Sequence, residues 1–325
     1  MPEDNTETVD PLPFGATLCR IRLTLEFESG GRLARYPGSA IRGLLGHGLR
    51  KTLCVTRQST CNNCPLLTNC GYARFFESPA IGKNSSGRYS AMPHPWVLDL
   101  THPTPRRVEA GDQLQFGITL LGEAANNLPW IVLALDHAGT LGFGGDRATF
   151  RLTRIEQESL PGNGRWQEID RHALPRFDID NDSLAPAPPA PDHVTISLQT
   201  PLRLKHHGKL VKAADFGMAI FLRALRLRLR ELGRLYASPA ESATLPEIPD
   251  DTEAALIDRR VTWQDWTRWS NRQKTHMQLG GLIGEIDVDL SLLEGWWPPL
   301  WQGQWLHMGK QTSMGLGQYR LLTSL

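Results

Sequence analysis

Four of the five cysteines lie in one short stretch, Cys54, Cys61, Cys64 and Cys70, separated by six, two and five residues. Thiols so placed make either a disulfide framework or a metal site, and a cytosolic setting, which keeps thiols reduced, favours metal. Four thiolates suit a closed tetrahedral zinc site, with an iron-sulfur cluster as the alternative. The Cys61-Asn62-Asn63-Cys64 turn offers two ligands from one knuckle. A closed site leaves no open coordination position, so its role is structural. The competing reading, small buried hydrophobes or a redox pair, sits badly with Asn62, Asn63, Thr68 and Asn69 as neighbours. Cys19, inside a strand pattern, reads as core.

A second constellation is the glycine-punctuated basic loop His307 to Gly317. Glycines let a backbone come close to a phosphate, and Lys310 and Arg320 add positive charge beside the exposed amides. His307, Gly309, Lys310, Ser313, Gly315 and Gly317 are therefore candidate contacts to an RNA backbone, although ordinary turns use glycine too. A weaker copy, Leu141-Gly142-Phe143-Gly144-Gly145-Asp146-Arg147, contributes Arg147.

The segment Ser39 to Leu53 has helical period, with Ser39 as expected N-cap. Ile41, Leu44, Leu45, Leu49 and Leu53 share a face, while His47, Arg50 and Lys51 fall opposite at ~100° per residue. An imidazole in such company can act as a general base or acid, with the cations stabilising a phosphorane. A histidine on a solvated face is the plainer reading. Arg42 lies on the same helix. A second helical stretch, Phe216 to Leu235, sets an apolar face against the stripe Arg223, Arg226, Arg230 and Arg234, either a phosphate track or a solvated face. The basic turn Pro201 to Lys209 adds Arg203. In Trp263 to Lys274 aromatics alternate with cations; Trp263 and Trp266 read as core, Ser270, Arg272 and Lys274 as ligand surface.

These residues need elements to position them, and the elements repeat. Each half opens with an alternating segment (Leu18 to Phe27; Val194 to Leu204), continues with a helix, and closes with a glycine loop entering a strand. This pattern predicts a duplicated α+β unit. A length of 325 residues accommodates two domains of ~150 residues. The expected parts are a disordered tail over 1–13, a domain over 14–177 with the cysteine insertion at 54–70, a linker over 178–192 and a domain over 193–325. The linker runs through the proline-rich Pro186 to Pro191, composition expected of extended, unpacked chain. Pro79 to Pro95 reads as a polar loop, either a lid over RNA or plain disorder. Net charge is +1, so nucleic-acid affinity must come from local patches rather than a whole-protein field. Met1 to Asp10 is acidic with no apolar leader, and no stretch reaches the ~20 apolar residues of a membrane span, so a cytoplasmic protein is expected.

Taken in order, several segments resemble the CRISPR-associated endoribonucleases that process precursor CRISPR RNA, within the RAMP superfamily. They are Gly38 to His47 with the trailing cysteines, Tyr72 to Glu77, Leu141 to Arg147, Thr200 to Leu204, Arg268 to Gln273 and Met308 to Gly317. The resemblance runs from residue 15 to 322. It implies two tandem ferredoxin-like domains, with RNA held between them and against the C-terminal glycine loop. It also implies metal-independent cleavage within a repeat, by attack of a ribose 2′-hydroxyl, leaving a 2′,3′-cyclic phosphate and a 5′-hydroxyl. His47 matches the family's first-helix histidine; Tyr36 would protonate the leaving oxygen or orient the phosphate, and Lys51 would neutralise its charge. His307, where the superfamily pattern carries a further glycine, is a second candidate. Two other readings stand beside this one: a non-catalytic RAMP-type subunit that cradles crRNA within a CRISPR effector complex, and a zinc-stabilised protein scaffold.

Overall fold

The computed structural model describes residues 17–34, 36–79, 92–100, 107–177, 184–237, 245–265, 267–270 and 275–323. Strict alternation makes the first strand: in β1 (Leu18–Phe27), Ile21, Leu23, Leu25 and Phe27 are buried under the helices. It is followed by β2 (Gly31–Arg32), α1 (Gly38–Leu53), β3 (Trp96–Asp99), β4 (Arg107–Val108), β5 (Gln113–Leu121), α2 (Leu128–Leu141), β6 (Phe150–Glu158) and β7 (Trp166–Glu168). The second half runs β8 (His193–Leu202), β9 (Lys205–His206), β10 (Lys209–Leu210), α3 (Met218–Tyr236), β11 (Leu256–Gln264), β12 (Thr267–Ser270), β13 (Thr275–Gln278), β14 (Gly281–Asp289), α4 (Trp297–Leu306) and β15 (Tyr319–Leu322).

Both main sheets are antiparallel, in the orders β3-β5-β1-β6-β7 and β11-β14-β8-β15. Counting only the strands of its own βαββαβ unit, each half has the spatial order second, third, first, fourth. That is the ferredoxin-like arrangement, so the duplication legible in the sequence is present strand for strand. Helices α1 and α2 cover one sheet, α3 and α4 the other, and each half has its own apolar core. The second core also takes in Leu18 and Leu121 of the first half, so the cores abut.

A buried polar junction joins the halves. Arg20 of β1 donates to Asp99 at 3.1 Å and to Glu158, whose carboxylate also accepts the Gly162 and Gly164 amides at 3.0 and 2.6 Å. From the other half, Gln318 donates to Asp99 at 3.0 Å, and Arg320 lies 3.6 Å away. Burial would raise the Asp99 carboxyl, but the Arg20 and Arg320 guanidiniums outweigh it and hold the group well below the usual carboxylate range. Both arginines also stack on Trp305, 4.2 and 4.4 Å from the ring centre.

One sequence expectation changes here: the residue capping α1 is Pro37, not Ser39, which lies inside the helix. The linker, where described, has no regular structure, and Pro186, Pro188, Pro189 and Ala190 are exposed, but it is anchored at particular points. Leu184 and Ala185 are buried, and the Pro188 carbonyl accepts from the Trp297 indole at 2.6 Å. An apolar tryptophan with a polar edge needs an acceptor when buried, and the linker supplies it. The expected tail over 1–13 and residues 178–183 of the linker lie outside the described residues.

Candidate nucleic-acid interface

Between the halves lies a cleft of about 2180 Å³, floored by α1 and α3 and flanked by both glycine loops. The described lining carries nine Arg and Lys side chains against three Asp and Glu. A chain of net charge +1, with 35 Lys and Arg in all, thus holds a local excess of cations over carboxylates in this one concavity. Low-dielectric walls around one sign of charge focus field on a polyanion.

Helix α1 shows why His47 faces the cleft. A Cβ at Gly48 would lie 2.0 Å from the Ala134 carbonyl of α2, and one at Gly46 would lie 2.5 Å from the Phe76 ring. The two glycines let α1 press against its neighbours, and His47 between them is the exposed side chain. Arg50 and Arg42 line the cleft from the same helix, whereas exposed Lys51, one turn beyond His47, does not. Arg42 is oriented on three sides: its Nε donates to Ser313 Oγ at 3.2 Å, an Nη lies 3.4 Å from His94 Nε2, and the guanidinium sits over Phe76 at 4.5 Å. His94 in turn lies 2.9 Å from Ser78 Oγ. Burial, reinforced by Arg42 and Arg228, lowers the His94 pKa to about 3, so it is neutral at pH 7.

Tyr36 lines the cleft, but its hydroxyl oxygen is buried. Burial pushes the phenol well above its ordinary pKa, opposed by a hydrogen bond with Thr200 of β8. That geometry suits a post between the halves better than proton delivery.

The C-terminal loop is where the site departs furthest from expectation. Gly309, Lys310 and Ser313 line the cleft; His307, Gly315 and Gly317 do not. A Cβ at Gly317 would lie 1.7 Å from the Met308 carbonyl, and one at Gly315 2.6 Å from Leu100, so the close approach these glycines permit is to protein. His307 is 1% exposed. Burial brings its pKa down to about 3 against the opposing pull of Asp99, and the side chain sits beside the junction rather than on the cleft lining. Arg228, absent from the predicted set, holds this loop: it donates to the Leu306 carbonyl at 3.0 Å, the His307 carbonyl at 3.2 Å and Thr312 Oγ1 at 3.2 Å. Desolvation lowers even this guanidinium to about 10.

Of the α3 stripe only Arg223 reaches the cleft. Arg226 is clamped bidentately by Glu247, Arg234 pairs with Glu231, and exposed Arg230 lies off the lining. Arg203 lines the cleft while donating to the Gly280 carbonyl, and Arg147 lines it from the N-terminal glycine loop. Arg32, Lys205 and His206 join the lining unpredicted, although the last two belong to the basic turn seen in the sequence. Arg272 and Lys274 lie outside the described residues. Trp263, expected in the core, is only half-buried: its indole donates to Asp265 at 2.7 Å, and Lys212 sits over its ring at 3.3 Å. Cys54, Cys61, Cys64 and Cys70 are free thiols that share a separate small crevice. Among the described residues, no three His, Cys, Asp or Glu side chains stand together as a ready-made metal-binding group. No helix among them is long and apolar enough to cross a membrane.

Comparison with known proteins agrees with this geometry. A family model described as an N-terminal domain matches residues 14–176, and the model for the CRISPR-associated endoribonuclease Cas6 matches residues 196–319. No curated protein matches the chain by sequence. Among solved structures, a Cas6 product complex aligns with a TM-score of 0.53 at 17% identity, over 94% of this chain and 99% of that one. A partial Cas6-RT-Cas1–Cas2 complex gives 0.52 at 15% identity, over 97% of this chain and 47% of that one. A further Cas6-RT-Cas1–Cas2 complex is covered over 30% of its chain, so this chain spans less than half the length of either. At such identities the structural likeness is one of fold. With the two family models falling in order on the two ferredoxin-like halves, the second half of the chain, over residues 196–319, carries a domain of the CRISPR-associated endoribonuclease Cas6 family, on a two-domain fold shared with solved Cas6 structures.

Proposed function

We propose that the chain is an endoribonuclease that binds precursor CRISPR RNA and cleaves it within the repeat, without a metal ion in the reaction. The observation that carries this reading is His47, exposed between Gly46 and Gly48 and facing a cleft of nine cations and three carboxylates. In the proposed reaction the His47 imidazole takes the proton from the ribose 2′-hydroxyl. The freed oxygen attacks the adjoining phosphorus, and the 5′-oxygen leaves with a proton returned by the imidazolium or by water. The products are a 2′,3′-cyclic phosphate and a 5′-hydroxyl. Arg50 on the next turn of α1 and Lys310 across the cleft neutralise charge on the phosphorane. Other CRISPR effector subunits are candidate partners for the product complex.

Incubating the chain in EDTA with an end-labelled repeat RNA tests the proposal. Chelator-resistant cleavage is expected, abolished by a 2′-deoxy at the cut site and reduced roughly 10²–10⁴-fold in His47→Ala with binding retained. Tight binding with no cleavage by the unaltered chain would instead make it a crRNA-holding RAMP subunit.

A further inference from the structure

The cleft chemistry leaves the four-cysteine segment unused. Residues 55–69 form neither helix nor strand, and Val55 is 78% exposed. Only Cys61 and, at the end of the segment, Cys70 pack against the first core, each partly buried. So little apolar burial does not offset the entropy of holding one irregular conformation. What the segment has instead is convergence. All four thiols line one crevice of about 10 Å³, the space of a single water-sized sphere. Thr56 Oγ1 lies between two of them, 3.8 Å from Cys54 Sγ and 3.5 Å from Cys64 Sγ, and the Cys64 amide closes the knuckle on the Cys61 carbonyl at 3.1 Å.

We infer that this crevice is a tetrathiolate zinc site, completed when the thiols rotate inward and give up four protons to the solvent. As they stand, the thiols are not yet a metal-binding group, so that rotation is part of the inference. Zinc suits the donor set because four thiolates close its tetrahedron, and binding would supply the ordering energy that apolar burial does not.

The site also touches the cleft. Tyr72 lines both concavities and donates to Glu77 at 3.0 Å, and Arg50, which faces the cleft, donates to the Ser59 carbonyl of the cysteine segment at 3.1 Å. Zinc would thus hold Arg50 in place for RNA. This coupling rests on the RNA-cleft reading; the metal site does not.

The test begins with metal analysis of the purified full chain, followed by stripping and reloading with Co²⁺. About one zinc per chain is expected, and a thiolate-to-cobalt charge-transfer band on reloading. Cys61→Ser and Cys64→Ser should lose both. The absence of bound metal with four titratable thiols, a disulfide found by mass spectrometry, or bound iron with acid-labile sulfide would each overturn the zinc site. Arg50→Gln supplies the coupling arm. Zinc should strengthen RNA binding in the unaltered chain and add nothing in Arg50→Gln. Equal gains in both would remove the coupling while leaving the site, and no RNA binding in any state would sink the functional reading instead.

Discussion

The two glycine loops occupy corresponding places in the duplicated fold, yet one is built into the protein and the other is left open. In the C-terminal loop, residues from Thr312 to Gln318 are buried, His307 and Gln311 join Gly309, Gly315 and Gly317 at positive φ, and Arg228 ties the loop to α3. The tip of this loop also bears on the first half, where a Cβ at Gly38 would lie 2.0 Å from the Met314 carbonyl. In the N-terminal loop, Gly144, Gly145, Asp146 and Arg147 are exposed, and the loop is closed by the Phe143–Ala148 bridge and by Asp146 accepting from the Arg32 amide at 3.0 Å. Duplication supplied two similar loops. The C-terminal copy became the keystone between the halves, and the N-terminal copy kept its backbone in solvent.

Glycine substitution probes that contrast most severely. Gly317→Ala places a Cβ 1.7 Å from the Met308 carbonyl at a φ of +74°, so the chain should lose roughly 4 kcal/mol or more, or fail to fold. Gly145→Ala meets no atom within 4 Å and should stay within about 0.5 kcal/mol of the parent in denaturant melts. Equal losses at both positions would erase the distinction drawn between the loops.

Acid should act next, on one buried histidine in the C-terminal loop and one in the first half. His307 and His94 are both held near pKa 3 by burial, below the ordinary 6.5. Below pH 6.5 the unfolded chain takes up protons that these folded imidazoles refuse, so stability falls as pH drops through that window towards 3. Each histidine contributes a slope of about 1.4 kcal/mol per pH unit. Asp99, held low by Arg20 and Arg320, adds its loss only below its ordinary 3.8. Thermal melts at descending pH should show the slope, reduced by one proton in His307→Gln; a flat profile from pH 7 to 5 would contradict the buried neutral imidazoles.

Alternation and helical period are local properties, which is why β1, α1, β8 and α3 were legible within a residue or two of their observed ends. The meaning of Gly315 and Gly317 was not. A glycine announces that something approaches the backbone, and only the tertiary structure shows that it is Leu100 and a carbonyl rather than phosphate. Helical spacing likewise showed which arginines of α3 share a face without saying where the face points. Arg228, off the stripe, proved the one that binds the loop, and Arg226 found Glu247 from a distant segment. His94 carries no motif and gains its place by stacking on Trp96 and Phe76. The cleft residues His47, Arg50 and Arg147 were found because surface position on a periodic element or in a polar loop is a sequence property.

The smallest effect isolates what the open loop contributes. Arg147 is exposed, sits at a φ of +53° and faces the cleft without an ion pair to any of the described residues, so its removal should cost the fold nothing measurable. If it meets a phosphate, each such contact releases about 0.7 of a counterion from a single strand, so Arg147→Ala should lower the slope of log affinity against log salt by about that amount. The change should be the same for unrelated RNA sequences, since a backbone contact carries no base information. Arg147→Lys should restore most of the slope, because the charge rather than the guanidinium geometry does this job. An unchanged slope in Arg147→Ala, with melting temperature also unchanged, would mean that the N-terminal loop is open without being used. RNA would then lie on the α1 and α3 side of the cleft alone.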